Sequence, residues 1–216
     1  MPALTVSVSA ATLGSPARKA RGTARGHDDI QLEAALVDAG HAALATGDYD
    51  AAREAFARTL RIAEHAHGPD HPRLIAPLIA LGELELARGQ GEVAFVRFHR
   101  ALALGEQAFG RSHTLLFTTL AGLGRAELVR ARPQAALVYL ERALVVASVD
   151  DEDPRSLAAV QFDLARALRV DPRERARARR LAGGALETLR DAQAADSLRA
   201  EIAAWIEEDA PKHRRR

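Results

Sequence analysis

The sequence predicts an all-α fold, a right-handed solenoid of about four helical hairpins with a capping helix, and three observations predict it. The first is a period of 42 residues: Ala52, Ala94, Ala136 and Ala178 recur in step, as do Leu60, Leu102, Leu144 and Leu186. The second is composition, because aromatics make up only 4% while Ala and Leu abound. That balance suits helices packed closely through small residues better than a β-rich core. The third is apolar spacing inside each period, as in Leu74, Leu78 and Leu81 or Leu116, Leu120 and Leu123, which lie on one helical face. Self-similarity at a period of this size marks stacked units, none able to bury its apolar face alone.

The elements follow in order. Residues 1–27 lack acid, carry Arg18, Lys19, Arg21 and Arg25, and are rich in Ser, Thr, Ala and Gly. They read as a disordered basic leader, with an organellar transit peptide as the alternative; the apolar stretch is too short for a secretory signal. The solenoid is expected over 28–209, with repeats at about 29–70, 71–112, 113–153 and 154–195, and a cap at 196–208. First helices are expected at about 29–46, 73–88, 114–130 and 154–169, second helices at about 50–67, 92–109, 134–149 and 173–192. Small residues at Gly40, Gly82, Gly124 and Ala165 mark a close approach of the partner helix, because glycine inside a helix costs about 1 kcal/mol without a packing reason. In each second helix a stripe such as Ala52, Phe56 and Leu60 faces the preceding helix.

The connections carry capping chemistry. Gly47-Asp48-Tyr49 returns as Gly89-Gln90-Gly91 and, degraded, as Ala131-Arg132-Pro133. In Gly68-Pro69-Asp70-His71-Pro72, glycine ends one helix and proline starts the next. Gly183-Gly184 suggests a close backbone contact or a hinge. At the end, Leu198, Ile202, Trp205 and Ile206 share the apolar side of one more helix, with Trp205 as its expected anchor. Residues 210–216 form a solvated basic tail.

The same sequence narrows chemistry. A net charge of +1 sets up no global pull toward nucleic acid or an anionic membrane. With no cysteine, disulfides, thiolate metal sites and Cys nucleophiles are excluded. The apolar runs are broken every few residues by Arg, Glu or Gly, so no membrane span is expected. His65, His67 and His71 gather beside Asp70, but structural zinc rarely rests on one mobile loop, and no metal or cofactor is expected. The basic run Arg173, Arg175, Arg177, Arg179 and Arg180 points several ways on a helix and reads as a solvated face. No Ser-His-Asp order, carboxylate pair or phosphate loop stands out, so no catalytic residue is assigned.

Leu81-Gly82, Leu123-Gly124, the turn Gly47-Asp48-Tyr49, the core Ala52, Phe56 and Leu60, and the Gly68 to Pro72 loop together resemble tetratricopeptide repeats of the long kind found in kinesin light chains and many bacterial proteins. The last third resembles the C-terminal repeat regions of GC-rich bacterial Ser/Thr kinases, notably myxobacterial ones, in Asp153-Pro154, Phe162-Asp163-Leu164-Ala165-Arg166 and Ala204-Trp205-Ile206. No kinase segment accompanies it: the phosphate loop, His-Arg-Asp and Asp-Phe-Gly are all missing. The resemblance implies a non-enzymatic module that binds a peptide or partner domain in a concave face lined by first helices. Projected onto this chain, that face has equivalent positions His41, Glu83, Arg125 and Arg166, each preceded four residues earlier by Val37, Ile79, Ala121 or Phe162.

Repeats that clamp a terminal carboxylate need Lys and Asn in these registers, and neither occurs there. Arg125 and Arg166 are the candidates for holding a carboxylate, unless they pair with Glu127 or Asp163. The expected partner is a protein or peptide with an acidic residue beside a bulky apolar one, with no nucleic acid and no membrane. A sensor of a small ligand or signalling peptide, and a structural subunit of a larger assembly, are the rival expectations. The expected compartment is the cytoplasm, or an organelle if residues 1–27 act as a transit peptide.

Overall fold

Four helical hairpins stack in sequence order, and a ninth helix closes the row. The computed structural model describes residues 16–147, 153–190 and 196–209, and side chains within the first helix from 31 onward. The basic tail, the first 15 residues and most of the acidic stretch before Asp153 lie outside the described residues. Hairpins are formed by α1 (Pro16–Ala45) with α2 (Tyr49–His67), α3 (Ile75–Ala87) with α4 (Gly91–Phe109), α5 (Phe117–Val129) with α6 (Pro133–Val146), and α7 (Pro154–Leu168) with α8 (Arg175–Thr188). Each second helix also packs on the next first helix, and α9 (Asp196–Asp209) packs on α8. Among the described residues there is no strand. α1 begins at Pro16, so it includes residues assigned on composition to the leader.

The local chemistry sets these boundaries. The first three hairpin turns end their first helix in the same way: Gly47, Gly89 and Ala131 all take positive φ, at 78°, 71° and 57°. The following amide reaches back five residues, Asp48 to Ala43, Gln90 to Glu85 and Arg132 to Leu128's neighbour Glu127, at 2.8–2.9 Å. This pattern satisfies two otherwise orphaned carbonyls. Ala131 adopts it without glycine's freedom, at a cost of about 1 kcal/mol. Between hairpins, Pro72–Leu74 and Thr114–Leu116 make 3-10 turns that lead into α3 and α5. His71 and His113 cap these turns, each Nδ1 accepting the amide two residues on, from Arg73 at 3.1 Å and Leu115 at 3.2 Å.

The core runs between the layers. Phe56, Phe98 and Leu140 are fully buried and meet the glycines at Gly40, Gly82 and Gly124, where a Cβ on Gly82 would stand only 2.7 Å from the Phe98 ring. The expected packing reason for those glycines is therefore an aromatic or leucine side chain from the partner helix. Gly183 and Gly184 differ, since an added Cβ at either meets open space; the close contact expected there is absent. On α9 the fully buried residue is Ile202, while Trp205 is half-buried, edge-on to Phe162 at 5.8 Å with the Arg169 guanidinium 5.5 Å over its ring. The anchor is thus shared between the two residues.

Ion pairs tie successive second helices together. Arg100 Nη2 lies 2.8 Å from Glu64 Oε1 and donates to the Pro69 carbonyl at 3.1 Å. One repeat later, Arg142 Nη2 lies 2.6 Å from Glu106 Oε1 and donates to the Arg111 carbonyl at 2.7 Å. Arg179 holds Asp209 of α9 at 2.9 Å, and Arg177 holds Glu141 at 2.8 Å, so two members of the basic run are ion-paired while still partly in solvent.

Candidate functional site

Helical stacking places one side of every first helix on a shared surface, and the four projected positions meet there. His41, Glu83, Arg125 and Arg166, from α1, α3, α5 and α7, line one cleft of about 850 Å³. Arg155 and Asp163 add to its wall, with Leu44, Leu86, Leu128 and Val129 as its apolar part. A second cleft of about 550 Å³ adjoins it through His41 and Glu83, and is apolar. Ile75, Ile79, Phe109 and Leu115 line that part, and Leu115 is 61% exposed. A third, of about 500 Å³, runs from Glu83 and Arg125 to Ser197, Leu198 and Glu201 of α9. The capping helix therefore forms one end wall.

The four apolar positions separate. Ile79 lines the apolar cleft and Ala121, 5% exposed, lines the one toward α9. Phe162 is 3% exposed and turned under Trp205, so it lines none of the three clefts. Val37 is half-buried and also lines none of them.

Charge alternates along the cleft. Arg125 stands 3.8 Å from Glu83, and Arg166 donates to Asp163 at 3.2 Å while its guanidinium lies 5.9 Å over the Phe162 ring. Both arginines thus have internal carboxylates, yet each keeps a good part of its side chain in solvent. Asp163 is buried, and burial pushes its carboxyl up to about 6 against the downward pull of Arg125 and Arg166. Glu201 from α9 adds to the rise. Sequence reasoning treated Asp163 only as a pairing partner; its burial on α7 was not read. Arg155 was missed because it sits in the first turn of α7, off the projected register.

The histidine group is structural in outline. His71 stacks on His67 at 4.6 Å while its Nδ1 is engaged in capping, and among the described residues no three His, Cys, Asp or Glu side chains gather as metal ligands. No described helix is long and apolar enough to cross a membrane.

A row of antiparallel hairpins whose first helices line a continuous cleft defines a helical-repeat protein. The sequence model of the tetratricopeptide repeat family matches residues 31–95 and 81–148, and the chain belongs to that family. No curated protein matches the sequence. Among solved structures, the nearly identical TPR-like repeats of a putative kinesin light chain from Podosopora anserina share the fold, at 17% identity, TM-score 0.60, with 84% of this chain and 96% of that chain covered. A single-residue variant of the same protein superposes at TM-score 0.61 and 18% identity, covering 81% and 91%.

Proposed function

We propose that the chain is a non-enzymatic interaction module that docks a protein segment in the cleft lined by its first helices. The observation that carries this reading is the convergence of His41, Glu83, Arg125 and Arg166 on one cleft that continues into an apolar one. The segment it suits bears a carboxylate for Arg125 or Arg166 and, toward the N-terminal half, a bulky apolar side chain for the Ile79 and Leu115 wall. Because both arginines already hold carboxylates, the incoming group replaces Glu83 or Asp163 as their partner.

The test is affinity purification of the intact chain from its own cell, followed by titration of the captured partner. Arg125→Ala with Arg166→Ala should weaken binding about tenfold or more, since charge-assisted contacts are worth about 1.5–3 kcal/mol each. Arg177→Ala with Arg180→Ala should leave it unchanged; the reverse result would move the partner to the outer face and end this reading. A second reading has one observation in its favour. Val96 and Val138, one repeat apart on α4 and α6, are 63% and 65% exposed, and Val145 is 81% exposed. An outer stripe of this kind suits a structural subunit of a larger assembly, in which case Val96→Asp with Val138→Asp would dissociate the complex.

A further inference from the structure

We infer that the two turns walling the apolar cleft are under proton control: in mildly acidic solution His71 and His113 let go of them, and the cleft loosens. The consequence for docking rests on the function proposed above. Each ring holds its turn through one bond. His71 Nδ1 accepts the Arg73 amide at 3.1 Å, and His113 Nδ1 accepts the Leu115 amide at 3.2 Å. Both donors, Arg73 and Leu115, line the apolar cleft, as do Pro72 and Leu116 from the same two turns. The bonds that fix the turns therefore fix the cleft wall.

An imidazole nitrogen accepts a hydrogen bond only while it carries no proton. Once protonated, Nδ1 is a donor facing an amide that is also a donor, and the bond is lost. The charge adds a second penalty. Each turn runs directly into a longer helix, α3 or α5, and a cation at a helix N-terminus opposes its dipole. Histidine is the side chain that changes charge between about pH 5 and 8, so both effects fall in a physiological range.

The surroundings of the rings set how strongly each turn responds. The His71 ring stacks on His67 with centroids 4.6 Å apart, so charge on both is repulsive. The His113 ring lies 5.3 Å from the uncharged Phe109, and there the lost cap acts without that repulsion. Among the described residues, the other charged groups around His71 are Arg100 of α4 with its partner Glu64 of α2, Asp70 and Arg73 in the loop, and Glu33 of α1, which shares the cleft with Arg73. Around His113 they are Arg142 of α6 with its partner Glu106 of α4, and Arg111. The first two turns of α3 and of α5 carry no charge. Glu64 and Glu106 are each held by an arginine, so neither is free to take the imidazolium. Asp70 favours a charged ring but does not restore the cap.

The third joint is built differently. There α7 is capped by Asp153, whose carboxylate accepts the Ser156 amide at 3.1 Å. Carboxylates titrate more than about two units below histidine, so acid acts on the two joints beside the apolar cleft and spares the one beside α7.

The chain has no cysteine, so Thr118→Cys, at an exposed position lining the apolar cleft, takes a single acrylodan label whose emission follows local polarity. Between about pH 7.5 and 5.5 the emission of the full chain should shift to the red. Over the same range, exchange protection of the Arg73 and Leu115 amides, corrected for the intrinsic rate, should fall about fivefold, the fold-change of one lost cap. His71→Asp with His113→Asp places at both turns the residue type used at Asp153, and should abolish both changes. His41 also lines the cleft and is kept in that variant, which separates its own titration. An emission that stays constant between the two pH values, or that moves equally in the double variant, overturns the inference. So does a neutral His71 or His113 whose proton sits on Nδ1 in the imidazole nitrogen-15 spectrum. The label needs no docked partner, so a failure here and a failure of the docking function are separate results.

Discussion

Asp163 is the residue whose chemistry depends most on its surroundings. Its carboxyl is buried between Arg125 and Arg166, and burial outweighs them, so it titrates near 6 instead of 3.8. A folded-state value above the unfolded one means that folding favours the protonated acid. The stabilisation from that proton is full below about pH 4 and is lost as pH rises through about 6. Asp163→Asn should therefore stabilise the chain at pH 7 to 8, by about 1–3 kcal/mol, and change little near pH 4. Thermal unfolding at the two pH values checks it. A destabilised variant at pH 7 would mean that the two arginines outweigh the burial.

At the scale of the element, α8 is the helix that departs from its siblings. Gly184 stands in the register of Arg58, Arg100 and Arg142, so α8 lacks the clamp, and an added Cβ there meets nothing within 4 Å. Gly184→Ala should raise stability by about 0.5–1 kcal/mol, the ordinary helix-propensity gain. The same change at Gly82, 2.7 Å from the Phe98 ring, should lower it by about 1–3 kcal/mol through overpacking. Denaturant midpoints of the two variants, moving in opposite directions, check the pair. The contrast also shows what the sequence carries. Glycines at Gly40, Gly82 and Gly124 were legible as close-packing sites because they recur with a large side chain one helix away. At Gly183-Gly184 the close-contact alternative fails, because no glycine recurs at the repeat period there to report a packing partner. Phe162 was legible as apolar and in register, but Trp205 covers it, and that contact comes from a helix outside the repeat. Arg166 was legible as cleft-facing; that Asp163 would be buried beneath it was not.

The whole molecule has unlike ends. At the C-terminal end α9 buries Ile202 and sets Asp209 between Arg169 and Arg179. At the N-terminal end Leu32 and Ile62 stay partly in solvent. In a stack whose stability is a sum of units and their joints, the end with fewer joints opens first. Amide hydrogen exchange should therefore be faster in α2 than in α4 or α6, with α8 protected by its cap. Equal protection of α2 and α4 would show that the first hairpin is closed by something beyond its own neighbours.

The alternation of Glu83, Arg125, Asp163 and Arg166 along the cleft has a consequence for the thermodynamics of docking. A carboxylate arriving at Arg125 or Arg166 exchanges with one already there, leaving the tally of ion pairs nearly constant. Few counterions are freed by such an exchange, so affinity should vary gently with ionic strength. Calorimetry should likewise find a small polar heat, with the apolar side chain seated against Ile79 and Leu115 supplying a negative heat-capacity change. The cleft then behaves as a swap site: it discriminates by which anion fits better than its own, and free simple anions compete poorly.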